Sequence, residues 1–210
     1  MEKSDMRDEG TIKFRSEFEP QKPFHCEPVN ELVEARNSLY TRNLIGVYPD
    51  GISFGNLSVR ARHPEDGRWG FFITGTQTGY LEEVDETHIA FVDRCDIAAN
   101  YLRSSGPIQA SSEAMTHYMI YSLDPVIGGV VHVHSAIIWN FWRNRAPTTG
   151  EDVPYGTPEM AAAVEDIILA RKPGAVAGFL VMAGHEDGVI SYGSNLREAM
   201  DFMIAKAAAL

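Results

Sequence analysis

The sequence predicts an α/β domain: a central, mostly antiparallel β-sheet with helices on both faces. Apolar, β-branched runs of strand length alternate with stretches of helical period. Some successive strands are joined as hairpins, as at the turn over 63–68. The chain has 210 residues and 44% hydrophobic content, the size of one domain with a sizeable core.

Residues 1–27 read as a polar N-terminal extension, and the domain proper spans 28–210. Pro20, Pro23 and Pro28 punctuate the extension. A short strand is possible over 11–14, and loose packing, or a place across a neighbour, is expected for the rest. Asn30 is a suitable N-cap for a helix over 30–40, with Leu32, Ala35 and Leu39 on one face. Pro49-Asp50-Gly51 signals a turn. Leu57 and Val59 alternate with polar residues in a strand over 56–62, and WGFFIT over 69–74 is its returning partner. The loop 74–79 (TGTQTG) offers hydroxyls and glycines, the makings of an anion cradle or of an ordinary β-turn. An acidic turn over 81–88 precedes a strand over 89–93, and 96–102 fits no period. Ser111 or Ser112 caps a helix that runs unbroken to Asp124-Pro125. After a strand over 129–134, a helix over 135–142 carries Trp139, Phe141 and Trp142 as core or subunit contact. A polar loop follows over 143–155. Thr157 caps a helix with Pro158 at its first position, ending before Lys172-Pro173-Gly174. Strands over 175–183 and 189–192 and an alanine-rich helix over 195–209 complete the chain.

A net charge of −11 argues against nucleic acid or an anionic membrane as partner. It leaves room for a small phosphorylated substrate, which a few local donors can hold. Cys26 and Cys95 form no disulfide framework, and the charged N-terminus is no secretory signal, so a cytoplasmic location is expected. The apolar run 126–142 contains Gly128-Gly129, His132, His134 and Asn140, which suits a core strand leading into a helix better than a membrane span.

His132 and His134 lie two apart in the run GVVHVH, so on a strand both rings project from one face. Burying two imidazoles is costly without partners. Either backbone groups satisfy them or a divalent metal does. His185, in Gly184-His185-Glu186-Asp187-Gly188, offers a third imidazole, and three histidines with an open position suit a catalytic site. Glu113 sits at a helix start, where the dipole favours a carboxylate; alone it is an ordinary first-turn acid. His117, one turn on, is placed to pair with it. His25, His63 and His88 lie in polar surroundings and read as surface residues.

Six segments in order, GNLSVR (55–60), TGY with ETHI (78–89), SSEAMTHYMIY (111–121), the paired-histidine strand, PYGTPEM (154–160) and HEDGVISYG (185–193), resemble the class II aldolase/adducin family. The family includes fuculose-phosphate aldolase, ribulose-phosphate 4-epimerase and methylthioribulose-phosphate dehydratase. The resemblance implies that His132, His134 and His185 bind a divalent metal, zinc first, with Mn2+, Co2+ or Mg2+ as alternatives. It implies that Glu113 is the acid/base residue, and that Gly55, Asn56, Thr78, Gly79, Ser111 and Ser112 hold a substrate phosphate. The implied function is an aldolase-type lyase that makes or breaks a C–C bond in a small phosphorylated sugar or related carbonyl compound through a metal-stabilised enediolate. An epimerase or dehydratase on the same scaffold is the alternative. A non-catalytic adducin-head-like interaction domain is the third reading, disfavoured by retention of the ligands. A homo-oligomer, a tetramer with sites between subunits, is also implied. Two features depart from the family pattern. Glu186-Asp187 intervene between His185 and Gly188, where the family has glycine after the histidine, so either acid is a candidate to touch the site. The segment 135–154 is short and has no match for the aldolases' donor tyrosine, and Tyr155 aligns with a later one.

Overall fold

The computed structural model describes residues 10–171 and 176–210. Its elements are β1 (Arg15–Pro20), α1 (Glu27–Tyr40), β2 (Gly46–Val47), β3 (Ser53–Phe54), β4 (Asn56–Arg62), β5 (Trp69–Thr74), a 3-10 turn at Glu86–His88, β6 (Ile89–Asp96), β7 (Tyr101–Gly106), α2 (Ala114–Leu123), β8 (Gly129–His134), α3 (Ala136–Trp142), α4 (Pro158–Leu169), β9 (Gly178–Val181), β10 (Gly188–Gly193) and α5 (Leu196–Ala208).

Eight strands form one sheet in the order β1-β7-β6-β5-β4-β8-β10-β9, and β2 and β3 make a separate hairpin. Every pairing in the large sheet is antiparallel except β1 with β7. The α/β architecture predicted from the sequence holds, with helices on both faces. On one face Val29, Leu32 and Leu39 of α1 and Leu196 and Met203 of α5 cover Leu57, Phe72, Phe91, Val131 and Val133. On the other, Met115 and Ile120 of α2 and Met160, Val164 and Ile168 of α4 cover Ile73, Val92, Val130 and Ile190. Burying such side chains stabilises the fold by about 1.5–3 kcal/mol each. Gly129 lets α5 approach β8: an added Cβ would fall 2.4 Å from Leu196 Cα. No helix among the described residues is long and apolar enough to cross a membrane.

Several expectations need correction. The N-terminal strand is Arg15–Pro20, not 11–14, and it pairs with β7 as a parallel edge strand. Arg15, Glu17 and Glu19 line its exposed side, a pattern that protects a sheet edge and that reads, in sequence, as a polar tail. Phe14 and Phe24 are buried, so residues 10–27 are not loosely packed. Helix α1 begins at Glu27 after Cys26, not at Asn30, because Pro28 occupies a first-turn position that needs no N–H donor. The stretch 96–102 holds a turn and the start of β7. The late strand expected over 175–183 is limited to Gly178–Val181, and its first expected residue, with the stop at 172–174, lies outside the described residues.

Candidate metal centre

Strand β8 lies inside the sheet, hydrogen-bonded to β4 on one side and β10 on the other. Its alternation sends Val131 and Val133 to the α1/α5 face. Val130, His132 and His134 therefore project to the face covered by α2. His185 comes from the turn between β9 and β10, closed by Gly188 N–H donating to the His185 carbonyl at 2.9 Å. Because Gly188 pairs with His134 in register, that turn delivers its histidine beside the other two. One ligand atom from each of His132, His134 and His185 lies within 4.8 Å of the others, and all three residues are buried.

The donor chemistry fits a cation. His132 Nδ1 faces the Val189 carbonyl at 3.1 Å, so it carries the proton and donates. His134 Nδ1 faces the Tyr48 hydroxyl at 2.8 Å. His134 Nε2 and His132 Nε2 stand 3.0 Å apart, so in the tautomer with the proton on Nδ1 of both rings their lone pairs face each other. In that tautomer the two neutral imidazoles repel, and a divalent cation held by both Nε2 atoms would relieve the repulsion. Burial, reinforced by the neighbouring His185 and His117, holds His132 well below the usual imidazole range, in the neutral form that ligation requires.

Glu113 is 1% exposed, and its Oε1 stands 4.0 Å from His185 Nδ1. It occupies the N-cap of α2 rather than the first turn. Ser111 and Ser112 do not cap the helix as expected. The Ser111 hydroxyl accepts from Glu113 N–H at 3.3 Å, which holds Glu113 at the turn into the helix. His117 does not pair with Glu113: its Nδ1 meets the Ser58 hydroxyl at 2.7 Å, and Ser58 Oγ lies 2.8 Å from the Tyr121 hydroxyl. This polar trio is buried, and burial pushes His117 down to about 3. His63 is also not a surface residue. It is 3% exposed, packed between Phe24 and Phe91.

Of the remaining site candidates, Gly55 and Asn56 border His132, and Thr78, Gly79, Ser111 and Ser112 lie on two loops linked to each other. Asn56 pairs with His132 across β4 and β8. Gly55 has φ +81, and a Cβ there would lie 2.8 Å from Ile45. Gly79 packs so closely on the β2–β3 hairpin that a Cβ would fall 2.2 Å from the Gly46 carbonyl. Arg36 holds the Thr78 and Gly79 carbonyls at 2.8 and 3.3 Å. A bridge between Gly75 and Ala110 joins the 75–79 loop to the Ser111-Ser112 turn.

Sequence reasoning missed two groups around the ligands. Phe54 stacks on His134 with ring centroids 5.5 Å apart, and Tyr48 packs on Phe54 at 4.6 Å. Tyr155 stacks on His185 at 4.5 Å, with Lys13 Nζ over the Tyr155 ring at 3.7 Å. Nothing local in the sequence marks Tyr48. Asp187 was signalled by its intrusion before Gly188, and it accepts from the Tyr48 hydroxyl at 3.3 Å.

Known structures share this architecture. The sugar-phosphate aldolase from Thermotoga maritima is 18% identical with a TM-score of 0.61, over 87% of this chain and 91% of its own. An L-fuculose 1-phosphate aldolase is 19% identical with a TM-score of 0.61, over 89% and 84%. The L-fuculose 1-phosphate aldolase from Glaciozyma antarctica is 18% identical with a TM-score of 0.55, over 84% and 68%. At these identities the likeness establishes the fold, and the family rests on the sequence itself. Residues 30–209 match the profile of the Class II Aldolase and Adducin N-terminal domain, and the chain belongs to that family.

Proposed function

We propose that this chain is a metal-dependent lyase of the class II aldolase type, acting on a small phosphorylated sugar or related carbonyl compound. The observation that carries the reading is the convergence of three buried imidazoles with the carboxylate of Glu113 4.0 Å from one of them. His132, His134 and His185 hold the divalent cation, zinc by its preference for imidazole and low coordination number, with Mn2+, Co2+ or Mg2+ as alternatives. The bound ion supplies Lewis acidity to a substrate carbonyl. Glu113, buried at the N-terminus of α2, takes and returns the proton that C–C cleavage or formation transfers. The segments with Gly55-Asn56, Thr78-Gly79 and Ser111-Ser112 receive the phosphate with neutral donors, which suits a chain of net charge −11. Tyr155 walls one side of His185, and its hydroxyl accepts from Thr11 N–H at 3.2 Å.

Metal analysis of protein purified without added metal or chelator, repeated on His132→Ala, tests the site. About one divalent ion per chain in the wild type and loss in the variant are expected. No metal in either, with unchanged activity, refutes the reading. Product analysis on a panel of ketose and pentulose phosphates tests the reaction. Two carbonyl fragments mark an aldolase, an inverted substrate an epimerase, and water loss a dehydratase. No turnover of any carbonyl substrate by the metal-loaded protein returns the non-catalytic interaction domain. We also propose a cytoplasmic homo-oligomer, a tetramer, with exposed Ile137 on α3 among the contact candidates.

A further inference from the structure

We propose that Tyr48 and Asp187 are positioning residues for the metal centre: the Tyr48 hydroxyl, anchored on the Asp187 carboxylate, fixes His134 as the Nδ1–H tautomer that presents Nε2 to the ion. The proposal rests on the metal reading of the histidine site. The ligands differ in how their tautomers are set. His132 donates to the main-chain carbonyl of Val189, an acceptor that no substitution removes. His134 instead meets a side chain, the Tyr48 hydroxyl at 2.8 Å, which in turn donates to Asp187 Oδ2 at 3.3 Å. The direction of the relay follows from the acceptor at its end. A carboxylate can only accept, so the phenol donates to it and its oxygen is left to accept from Nδ1–H.

Both members are held from more than one side. Tyr48 opens the turn between β2 and β3, with its carbonyl accepting from Gly51 N–H at 2.9 Å and its N–H donating to the Ile52 carbonyl at 2.9 Å. Its ring packs on Phe54, which stacks on His134. Asp187 has φ +65, a left-handed conformation that aspartate and asparagine tolerate better than most residues. Its carbonyl accepts from the N–H of Ser135, the residue after His134, at 2.9 Å. The intrusion of Glu186-Asp187 before Gly188 thus has a consequence at the metal: it brings a carboxylate to the hydroxyl that orients a ligand. Outer hydrogen bonds of this kind raise imidazole basicity and stop the ring from turning away. The phenol–carboxylate distance exceeds the usual O–H···O value of about 2.7–2.8 Å, so Tyr48 carries more of the effect than Asp187.

The test is zinc affinity of the purified full chain, measured by competition with a chromophoric chelator, together with the visible spectrum of the Co2+-loaded protein. Tyr48→Phe keeps the ring and its packing, and is expected to lower zinc affinity about 10–100-fold and to shift the cobalt bands. The thermal midpoint of the metal-free protein is expected to stay at the wild-type value. Asp187→Asn keeps the left-handed backbone and is expected to show a smaller loss in the same direction. His134→Ala sets the full loss. If His134→Ala loses the metal but Tyr48→Phe and Asp187→Asn bind zinc within twofold of wild type, the positioning role is wrong and the metal site stands. If Tyr48→Phe lowers only the metal-free midpoint, its role is structural and the proposal is wrong. If His132→Ala and His134→Ala both keep wild-type affinity, the metal reading fails and the proposal with it.

Discussion

Replacing Arg36 by methionine tests how the loop 78–82 is held beside the site. Arg36 is 1% exposed, and its guanidinium donates to the carbonyls of Thr78, Gly79 and Glu82 at 2.8, 3.3 and 3.1 Å. Burial lowers its pKa from 12.5 to about 10, so it stays charged at neutral pH. That drop corresponds to about 3 kcal/mol of desolvation cost, which the variant escapes. The charge-assisted bonds it loses amount to roughly 1.5–3 kcal/mol each. The net destabilisation is therefore about 1.5–6 kcal/mol, or roughly 3–24 °C in thermal midpoint for a domain of this size. Urea titration and calorimetry measure it. Arg36→Lys, which can reach fewer carbonyls with its compact ammonium, should fall between the two. With a turned-over phosphorylated substrate, Arg36→Met should raise KM more than it lowers kcat, because the loop's backbone loses its fixed geometry while Glu113 and the histidines are untouched. A stability loss below about 1 kcal/mol would show that the loop holds itself without Arg36. A large stability loss with KM unchanged would remove Thr78-Gly79 from the phosphate site.

Three further changes have defined outcomes. His117 is neutral when folded, with a pKa of about 3, but near 6.5 when unfolded. The unfolded chain therefore binds the extra proton between these values, and stability should fall as pH drops from 6.5 toward 3, by up to roughly 4–5 kcal/mol from this residue; His117→Leu should flatten the slope of urea midpoints against pH, and an unchanged slope would refute the assignment. Glu113→Gln should lower turnover by about 10²–10⁴-fold while zinc stoichiometry, read by metal analysis, stays at wild type; loss of the metal would make Glu113 a ligand instead. Gly188→Ala places a Cβ 3.0 Å from His185 Nδ1 and 3.1 Å from His132 Cε1, so both rings must shift by a few tenths of an ångström and zinc affinity should drop about tenfold, with equilibrium competition as the readout and unchanged affinity as the refutation.

The sheet's middle was legible because its strands obey local rules. β4 and β5 pair across a short turn, and β8 is a β-branched run opened by glycines. Both histidines on β8 share a face as a period of two requires. What escaped prediction depends on contacts distant in sequence. β1 is recognisable only once β7 exists, since Arg15 pairs with Tyr101. His63 looks solvent-exposed beside Pro64-Glu65-Asp66, yet Phe24 and Phe91 enclose it. Ser111 and Ser112 have the composition of helix caps, but the chain turns into α2 one residue later, at Glu113. Tyr48 carries no signal in its neighbourhood, because its role is defined by His134, 86 positions away.

The sheet order explains why the centre lies where it does. β4, β8 and β10 are neighbours, and Asn56 and Ile190 flank His132 in register. A ligand in the middle of a hydrogen-bonded sheet cannot move without breaking ladders on both sides, so His132 and His134 form the rigid part of the site, with His185 on the turn beside them. Most of the proposed phosphate donors, Gly55-Asn56 apart, come instead from segments outside the strands: the 75–79 loop and the turn before α2. These segments are held by loop contacts rather than sheet ladders, such as Arg36 on the Thr78, Gly79 and Glu82 carbonyls and the bridge from Gly75 to Ala110. On the proposed reading, metal binding is thereby separated from substrate choice. A sheet of this kind can keep its ion through changes in the surrounding segments, and the reaction can change with those segments without rebuilding the centre. For this chain the segment to watch is 143–157, where Tyr155 lies flat on His185 and its hydroxyl accepts from Thr11 N–H.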